Sequence, residues 1–336
     1  MFKIFGFSIF ITITALIVAL VYSGPAAAMT TLFLIAVEMA ISFDNAIVNA
    51  KVLAKLSHFW QQIFLTIGIL IAIFVVRFLL PIVIVMLTAN LAFHDVINLA
   101  LNDTAKYGEK LHDAHAAIAG FGGSFLLALS IYFLLDDERK VFWIKRIEKP
   151  LQKFGGTVWL PPVIVLSVVS IMALFAHSHA QEFLRAAIAG TLTYTLLKVI
   201  LDFVERFAPS GKKTYTGWPA LLGFLYLEVL DASFSFDGVL GAFAITNQVL
   251  LIALGLGVGA VWVRSFTIMM VRRGTLATYK YLDHGAHYAI LILALALLLG
   301  VYVEIPDAVI GLSSIGVILF SFIASKHSNN KRLKSA

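Results

Sequence analysis

Apolar runs of 18 or more residues follow one another along this whole chain, separated by short connections. A run of that length spans the hydrocarbon core of a bilayer as a helix. Of the 336 residues, 60% are hydrophobic and 13% charged, where a soluble domain carries about a quarter charged residues. The chain reads as an all-α polytopic membrane protein. Dividing the runs predicts about ten transmembrane helices, over residues 4–22, 30–54, 61–88, 117–135, 157–176, 183–205, 218–246, 249–270, 285–303 and 306–324.

The connections set the orientation. Lys and Arg gather on alternate ones: Lys51 and Lys55; then Arg139, Lys140, Lys145, Arg146, Lys149 and Lys153; then Arg206, Lys212 and Lys213; then Arg272, Arg273 and Lys280. The tail adds Lys326, Lys331, Arg332 and Lys334, while 23–29, 177–182, 247–248 and 304–305 hold neither residue type. By the positive-inside rule both termini face the cytoplasm. Segment 89–116 mixes Lys106 and Lys110 with Asp95, Asp103, Glu109 and Asp113, and reads as a polar outer segment. Residues 136–156 alternate charged with apolar positions, the pattern of an amphipathic helix on the cytoplasmic surface. The net charge of +6 lies in these loops and gives no nucleic-acid signal. Without cysteine, disulfides and thiolate metal sites are excluded. Met1-Phe-Lys3, the run to Val21 and the Gly-Pro-Ala-Ala-Ala that follows also fit a signal peptide; the run is long enough to span, and residues 1–28 are read as a retained helix.

Against this background two stretches carry acids: Glu38-Met-Ala-Ile-Ser-Phe-Asp44-Asn45, and Glu228-Val-Leu-Asp231-Ala-Ser-Phe-Ser-Phe-Asp237-Gly238. Aligning Asp44 with Asp237 superimposes Ser42 on Ser235, Phe43 on Phe236 and Glu38 on Asp231. A carboxylate at the bilayer centre costs roughly 2.5 to 3.5 kcal/mol, so these acids call for a reason. In the ten-span reading the copies lie five spans apart and run in opposite directions. That is an inverted-topology repeat, with Arg77 and Arg264 each one span after a motif. The halves are 1–156 and 157–325, and 326–336 is a basic cytoplasmic tail.

On a straight helix Glu38, Ser42, Asn45 and Asn49 share a stripe, with Asp44 about 120° from Glu38. Glu228, Asp231, Ser235 and Gly238 share another, with Asp237 off it. Convergence on one ligand therefore predicts a bend or break near Ser-Phe-Asp in both copies, freeing carbonyl oxygens. Carboxylate, amide and carbonyl oxygens suit hard divalent cations such as Mn²⁺, Mg²⁺ or Ca²⁺, and the same carboxylates carry protons when no metal is bound. The plain alternative is that the acids are polar glue between helices. Arg77 and Arg264 are read as structural partners of motif acids, and Lys198 with Asp202 as a helix pair. His112-Asp-Ala-His115 and His177-Ser-His179 read as outer surface. Ser210-Gly-Lys-Lys213 lacks the glycine spacing of a P-loop, so ATP-driven transport is unsupported and no enzyme is indicated.

Glu38, Asp44 and Asn45 resemble the Glu-x5-Asp-Asn of the TerC family of integral membrane proteins, within the LysE-like transporter superfamily. Glu228, Asp231, Asp237 and Phe243-Ala-Ile-Thr246 are similar to that family's second motif, and Arg264-Ser-Phe266 to its following helix. Gly122-Gly-Ser-Phe-Leu-Leu127, Asp136-Asp-Glu138, Trp143 and Glu148 resemble a related branch of unknown function. The chain departs at Asp237-Gly-Val-Leu-Gly-Ala, where the family continues Asp-Ser-Ile-Pro-Ala. The resemblance implies metal export, with manganese the leading cargo and calcium an alternative.

The expectation is a secondary transporter of the bacterial inner (plasma) membrane. It exports a divalent cation, Mn²⁺ first, by exchange with protons, with the metal as cargo and no prosthetic group. The expected ligands are Glu38, Asp44, Asn45, Asp231, Asp237 and Glu228, assisted by Ser42, Asn49, Ser235, Arg77 and Arg264. The lipid bilayer is a partner and an oligomer is allowed. The competing readings are a membrane partner that helps metallate or assemble exported proteins, and a small-solute or amino-acid exporter.

Overall fold

Inside a bilayer no water is present to satisfy the backbone, and this chain bonds its backbone within helices. The computed structural model describes residues 2–157, 159–175, 179–207, 214–246, 248–303 and 305–335. The side chains at 2, 3, 203–207, 236, 237, 240, 244, 307, 308 and 330–335 lie outside that description. The elements are α1 (Phe2–Ile41), α2 (Phe43–Leu53), α3 (His58–Leu70), a π-helical segment (Ile71–Leu79), α4 (Leu80–Ala89), α5 (Phe93–Asn102), α6 (Thr104–Asp113) and α7 (His115–Leu135). They continue with α8 (Lys145–Gln152), α9 (Leu160–Ala173), α10 (Ala180–Phe207), α11 (Gly217–Ile245), α12 (Val249–Arg273), α13 (Thr275–Thr278), α14 (Leu282–Gly300) and α15 (Asp307–Ser335). Among the described residues the extended pairing amounts to a bridge between Leu56 and Tyr215.

Among the described residues seven stretches are long and apolar enough to cross a membrane: Ile4–Ile41, His58–Ala89, His115–Leu135, Ala180–Asp202, Val249–Arg273, Leu282–Gly300 and Val309–Asn329. Phe10, Ile17, Phe74, Leu312 and Phe320 stand exposed on them, a surface for lipid to cover. This is an integral membrane protein. The other expected spans fall on the second arm of α1 with α2, on the apolar α9 of 14 residues, and on α11, which carries three acids.

Three departures from regular helix shape the first 90 residues. Ser23 (φ −145°) and Gly24 (φ 82°) break α1 into two arms; glycine accepts that left-handed φ, and Pro25 then fits the first turn of the new arm. The second departure is a turn at Ser42, between α1 and α2. The third is the π-helical segment within the span His58–Ala89. Pro81 has no N–H to give to the Arg77 carbonyl and its ring crowds that group, so a regular α-helix cannot run through it unaltered. The preceding turns widen instead, and Leu80 N–H bonds the Val75 carbonyl, five residues back.

The chain forms two compact units, and each draws on both halves of the sequence. The first comprises Met1–Ala46, Val52–Ala116 and Pro209–Met269. Here both arms of α1 pack on α12: Ser8 bonds Ser265 at 2.8 Å, Trp262 donates to Thr12 at 2.9 Å, and Leu34 lies over Gly255. The second unit comprises Ile47–Lys51, Ala117–Ala208 and Met270–Ala336. Small residues bring its helices together as in other membrane bundles. A methyl at Gly120 would lie 2.5 Å from the Phe183 carbonyl oxygen, and Ser124 donates to the Ala187 carbonyl at 2.8 Å.

Candidate functional site

Within the first unit both acidic motifs meet at two arginines. Arg77, on the π-helical segment, donates to Glu38 at 2.5 Å and lies 3.8 Å from Asp231. These two acids are the ones that the sequence alignment superimposes. The Arg77 guanidinium also donates to the carbonyl of Ala72, five residues back on the same segment, at 3.1 Å. Arg264, on α12, grips Glu228 with a two-pronged contact (3.1 and 3.0 Å), touches Asp231 at 3.3 Å and donates to the Phe64 carbonyl at 2.8 Å. Its guanidinium lies over the Phe64 ring, 4.2 Å from the centroid. Such planar, paired geometry is what a guanidinium supplies and an ammonium does not.

Glycines make room for these groups. A methyl on Gly259 would sit 2.6 Å from Glu38 Cβ, and one on Gly68 would sit 2.6 Å from a Glu228 oxygen. Gly255 and Gly259, one helical turn apart on α12, face Leu34 and Glu38, one turn apart on α1. That matched spacing is the small-residue stripe by which membrane helices approach closely.

Asp44 stands apart. It is 1% exposed and lies in the first turn of α2, where the helix dipole favours an anion. One oxygen accepts the Asn45 backbone N–H at 2.8 Å, and the other has no partner. Asn45 donates its side-chain amide to Asp231 at 2.9 Å, which leaves its own side-chain oxygen unpartnered. Ser235, one turn beyond Asp231 on α11, is likewise buried with a free side-chain oxygen; the expected auxiliary residue Asn49 is buried with a free oxygen too, but belongs to the second unit. Four described acids (Glu38, Asp44, Glu228, Asp231) are thus buried with two arginines, a formal excess of two negative charges. Among the described residues no group of three or more acid or histidine side chains is arranged to hold a metal ion. The Asp237 side chain, an expected ligand, lies outside those described.

The expected helix breaks occur in one copy. At Ser42 the interruption is a single residue: its N–H still bonds the Glu38 carbonyl at 3.0 Å, and its hydroxyl donates to the Glu38 side chain at 3.1 Å. In the second copy α11 continues without interruption through Ser235 and Gly238. No proline sits there to force a break, and Glu228 and Asp231, three residues apart, already share the face that meets Arg264.

Beside Arg77 a small cleft is lined by Pro81, Ala100, Tyr107, Val239 and Phe243. Tyr107 comes from α6 in segment 89–116, stacks edge-on against Phe243 at 5.6 Å, and has its phenol pushed above the usual range by burial. The expected pair Lys198–Asp202 forms at 2.5 Å. His112 and His115 stack at 6.2 Å and His179 is exposed, while His177 lies outside the described residues.

Sequence reasoning missed a second buried polar cluster, in the other unit. Glu148 is fully buried and accepts the N–H groups of Trp143 and Ile144 at 3.1 Å each and the Tyr288 hydroxyl at 3.2 Å. His284 lies 3.4 Å and Arg139 3.8 Å from the same carboxylate. Nearby on α14, Asp283 pairs with Lys51 at 2.9 Å, and His287 stacks on Phe133 at 3.7 Å. The available signal was Asp283-His284 followed by His287 and Tyr288, which puts titratable groups on one end of an otherwise apolar helix.

No curated protein and no solved structure matches this chain. A family model described as a protein of unknown function (DUF475) matches residues 43–332, a stretch that starts between Ser42 and Asp44 and includes both arginines, the whole second motif and Glu148. With most of its length inside that match, the chain belongs to the DUF475 family.

Proposed function

We propose that this protein is a secondary transporter that exports a divalent metal cation, Mn²⁺ first, in exchange for protons. The observation that carries the reading is Asp44, a buried carboxylate with one oxygen unpartnered, beside Asn45 and near a second motif that adds the free oxygen of Ser235. A buried carboxylate with one oxygen left unbonded calls for a compensating charge, which a proton or a metal cation supplies. The formal excess of two negative charges among the described acids, which Asp237 would add to, suits a divalent ion or protons as counter-charge, and oxygen donors suit Mn²⁺, Ca²⁺ or Mg²⁺. Arg77 and Arg264 hold Glu38, Glu228 and Asp231, so Asp44, Asn45, Ser235 and Asp237 are the first ligands in this reading. The cleft from Arg77 to Tyr107 would serve as the outer route.

The same reading takes the helices as ten spans in a five-plus-five inverted repeat, with both termini cytoplasmic and a likeness to TerC proteins, in a bacterial inner membrane. The meeting of Glu38 and Asp231, equivalent positions in the two motifs, on one arginine supports the repeat. The test is flux in proteoliposomes across Mn²⁺, Ca²⁺, Mg²⁺ and Zn²⁺, with and without a pH gradient. Metal-dependent flux that Asp44→Asn abolishes is expected.

The arginine pairing of three acids favours a second reading, in which they hold helices together and the protein assists metallation of exported proteins. In that case no cation moves in the wild type, and Asp44→Asn instead weakens a pulldown of the partner.

A further inference from the structure

Segment 136–156 was expected to lie on the membrane surface, and its side chains are sorted in a way the sequence does not show. The acid of α8, Glu148, is drawn wholly inward to the Trp143 and Ile144 N–H groups and Tyr288. With it gone from the surface, Lys145, Arg146, Lys149 and Lys153 stand exposed. At 100° per residue they cover an arc of about 100°. Among the described residues none of the four makes an ion pair. Ile147 is exposed on the other side of Glu148, and Ile144, Phe154 and Trp159 are exposed beside the helix (47%, 36%, 57% and 72%).

The height of this surface is also fixed. Gln152 at the end of α8 donates to the carbonyls of Asp137 and Arg139 at 2.9 and 2.8 Å, just past the last residue of α7. A methyl on Gly155 would collide with the Leu135 carbonyl, so the chain lies directly on the end of that span. His284, two residues into α14, contacts the Val141 carbonyl at 2.9 Å. The segment is therefore pinned where two membrane-crossing helices end. A basic arc flanked by exposed aromatic and aliphatic side chains at that level matches the headgroup zone of an anionic leaflet.

We infer that α8 is an interfacial helix that binds anionic phospholipid headgroups, with Glu148 the positioning residue that turns its basic arc outward. The inference depends on membrane insertion and not on transport, so it stands or falls separately from the proposed function. The occupant is lipid and not free phosphate, because the exposed Ile147, Phe154 and Trp159 need an apolar neighbour that an inorganic ion does not provide.

The test uses the purified full-length protein in detergent mixed with equal phosphatidylglycerol and phosphatidylcholine, with retained lipids counted by native mass spectrometry. Wild type is expected to retain phosphatidylglycerol preferentially, with added inorganic phosphate failing to displace it. Replacing Lys145, Arg146, Lys149 and Lys153 together by Gln is expected to cut that preference at least about tenfold. The milder Lys149→Glu, which cannot disturb the interior, should lower it in the same direction. Equal retention of both lipids by wild type, an unchanged preference in the fourfold variant, or ready displacement by phosphate would overturn the inference.

Discussion

Arg264 and Glu228 form a two-pronged ion pair, with side chains 2% and 7% exposed, and the guanidinium is held from a third side by the Phe64 carbonyl. Removing one partner strands the other charge. Arg264→Gln should lower stability by about 3–5 kcal/mol, read as a fall in the thermal transition of the detergent-purified protein. Glu228→Leu combined with Arg264→Met should recover most of that loss. If both variants were equally unstable, the pair would be acting through something other than charge.

Asp44 makes the opposite prediction. Its second oxygen bonds nothing, so Asp44→Asn removes a buried charge without breaking an ion pair. The thermal transition should hold or rise, by an amount equivalent to about 1–3 kcal/mol, while cation flux in proteoliposomes is lost. A loss of flux accompanied by unfolding would place Asp44 with the structural acids instead.

At Gly259 the space beside Glu38 is already filled. Gly259→Val should destabilise by about 1–3 kcal/mol from overpacking, whereas Gly257→Val on the opposite face, where a methyl would meet Ile73 at 3.6 Å, should be milder. Comparing the two thermal transitions checks the claim.

Arg77→Lys keeps the charge but not the fork that reaches Ala72 and Glu38 together. In a double-mutant cycle with Glu38→Gln, the coupling should fall by about 1–3 kcal/mol relative to arginine. Undiminished coupling would mean that point charge alone sets the interaction.

In the other unit, Glu148→Ala leaves the Trp143 and Ile144 N–H groups without their acceptor. Segment 136–156 should loosen, and trypsin should cut at Lys140, Lys145 and Arg146 faster than in wild type while cleavage elsewhere stays unchanged.

The helical character and the pairing of motifs were legible because both are local in sequence: long apolar runs, and an acid-five-acid spacing repeated with Ser-Phe before the second acid. The partners Arg77 and Arg264 could also be read, since a buried cation one span from a buried acid has few other places to go. What was hidden depended on neighbours far along the chain. The notch that admits Glu38 belongs to Gly259, and the carbonyl that steadies Arg264 belongs to Phe64. The expected break in α11 did not occur, because angular position on an ideal helix says where side chains point but not which of them must converge. Glu148 looked like one charge among many in a surface segment, and nothing adjacent to it announced that it turns inward.

The π-helical segment between Ile71 and Leu79 gives this span a spare residue. A widened turn of that kind migrates along a helix as each backbone hydrogen bond is exchanged for the next, so the total number of bonds is kept. Passing the defect across position 77 would swing that side chain by about 100°, away from Glu38 and Asp231, without melting the helix. In this structure Pro81 fixes where the widened turn rests, and with it the side of the span from which Arg77 meets the two acids.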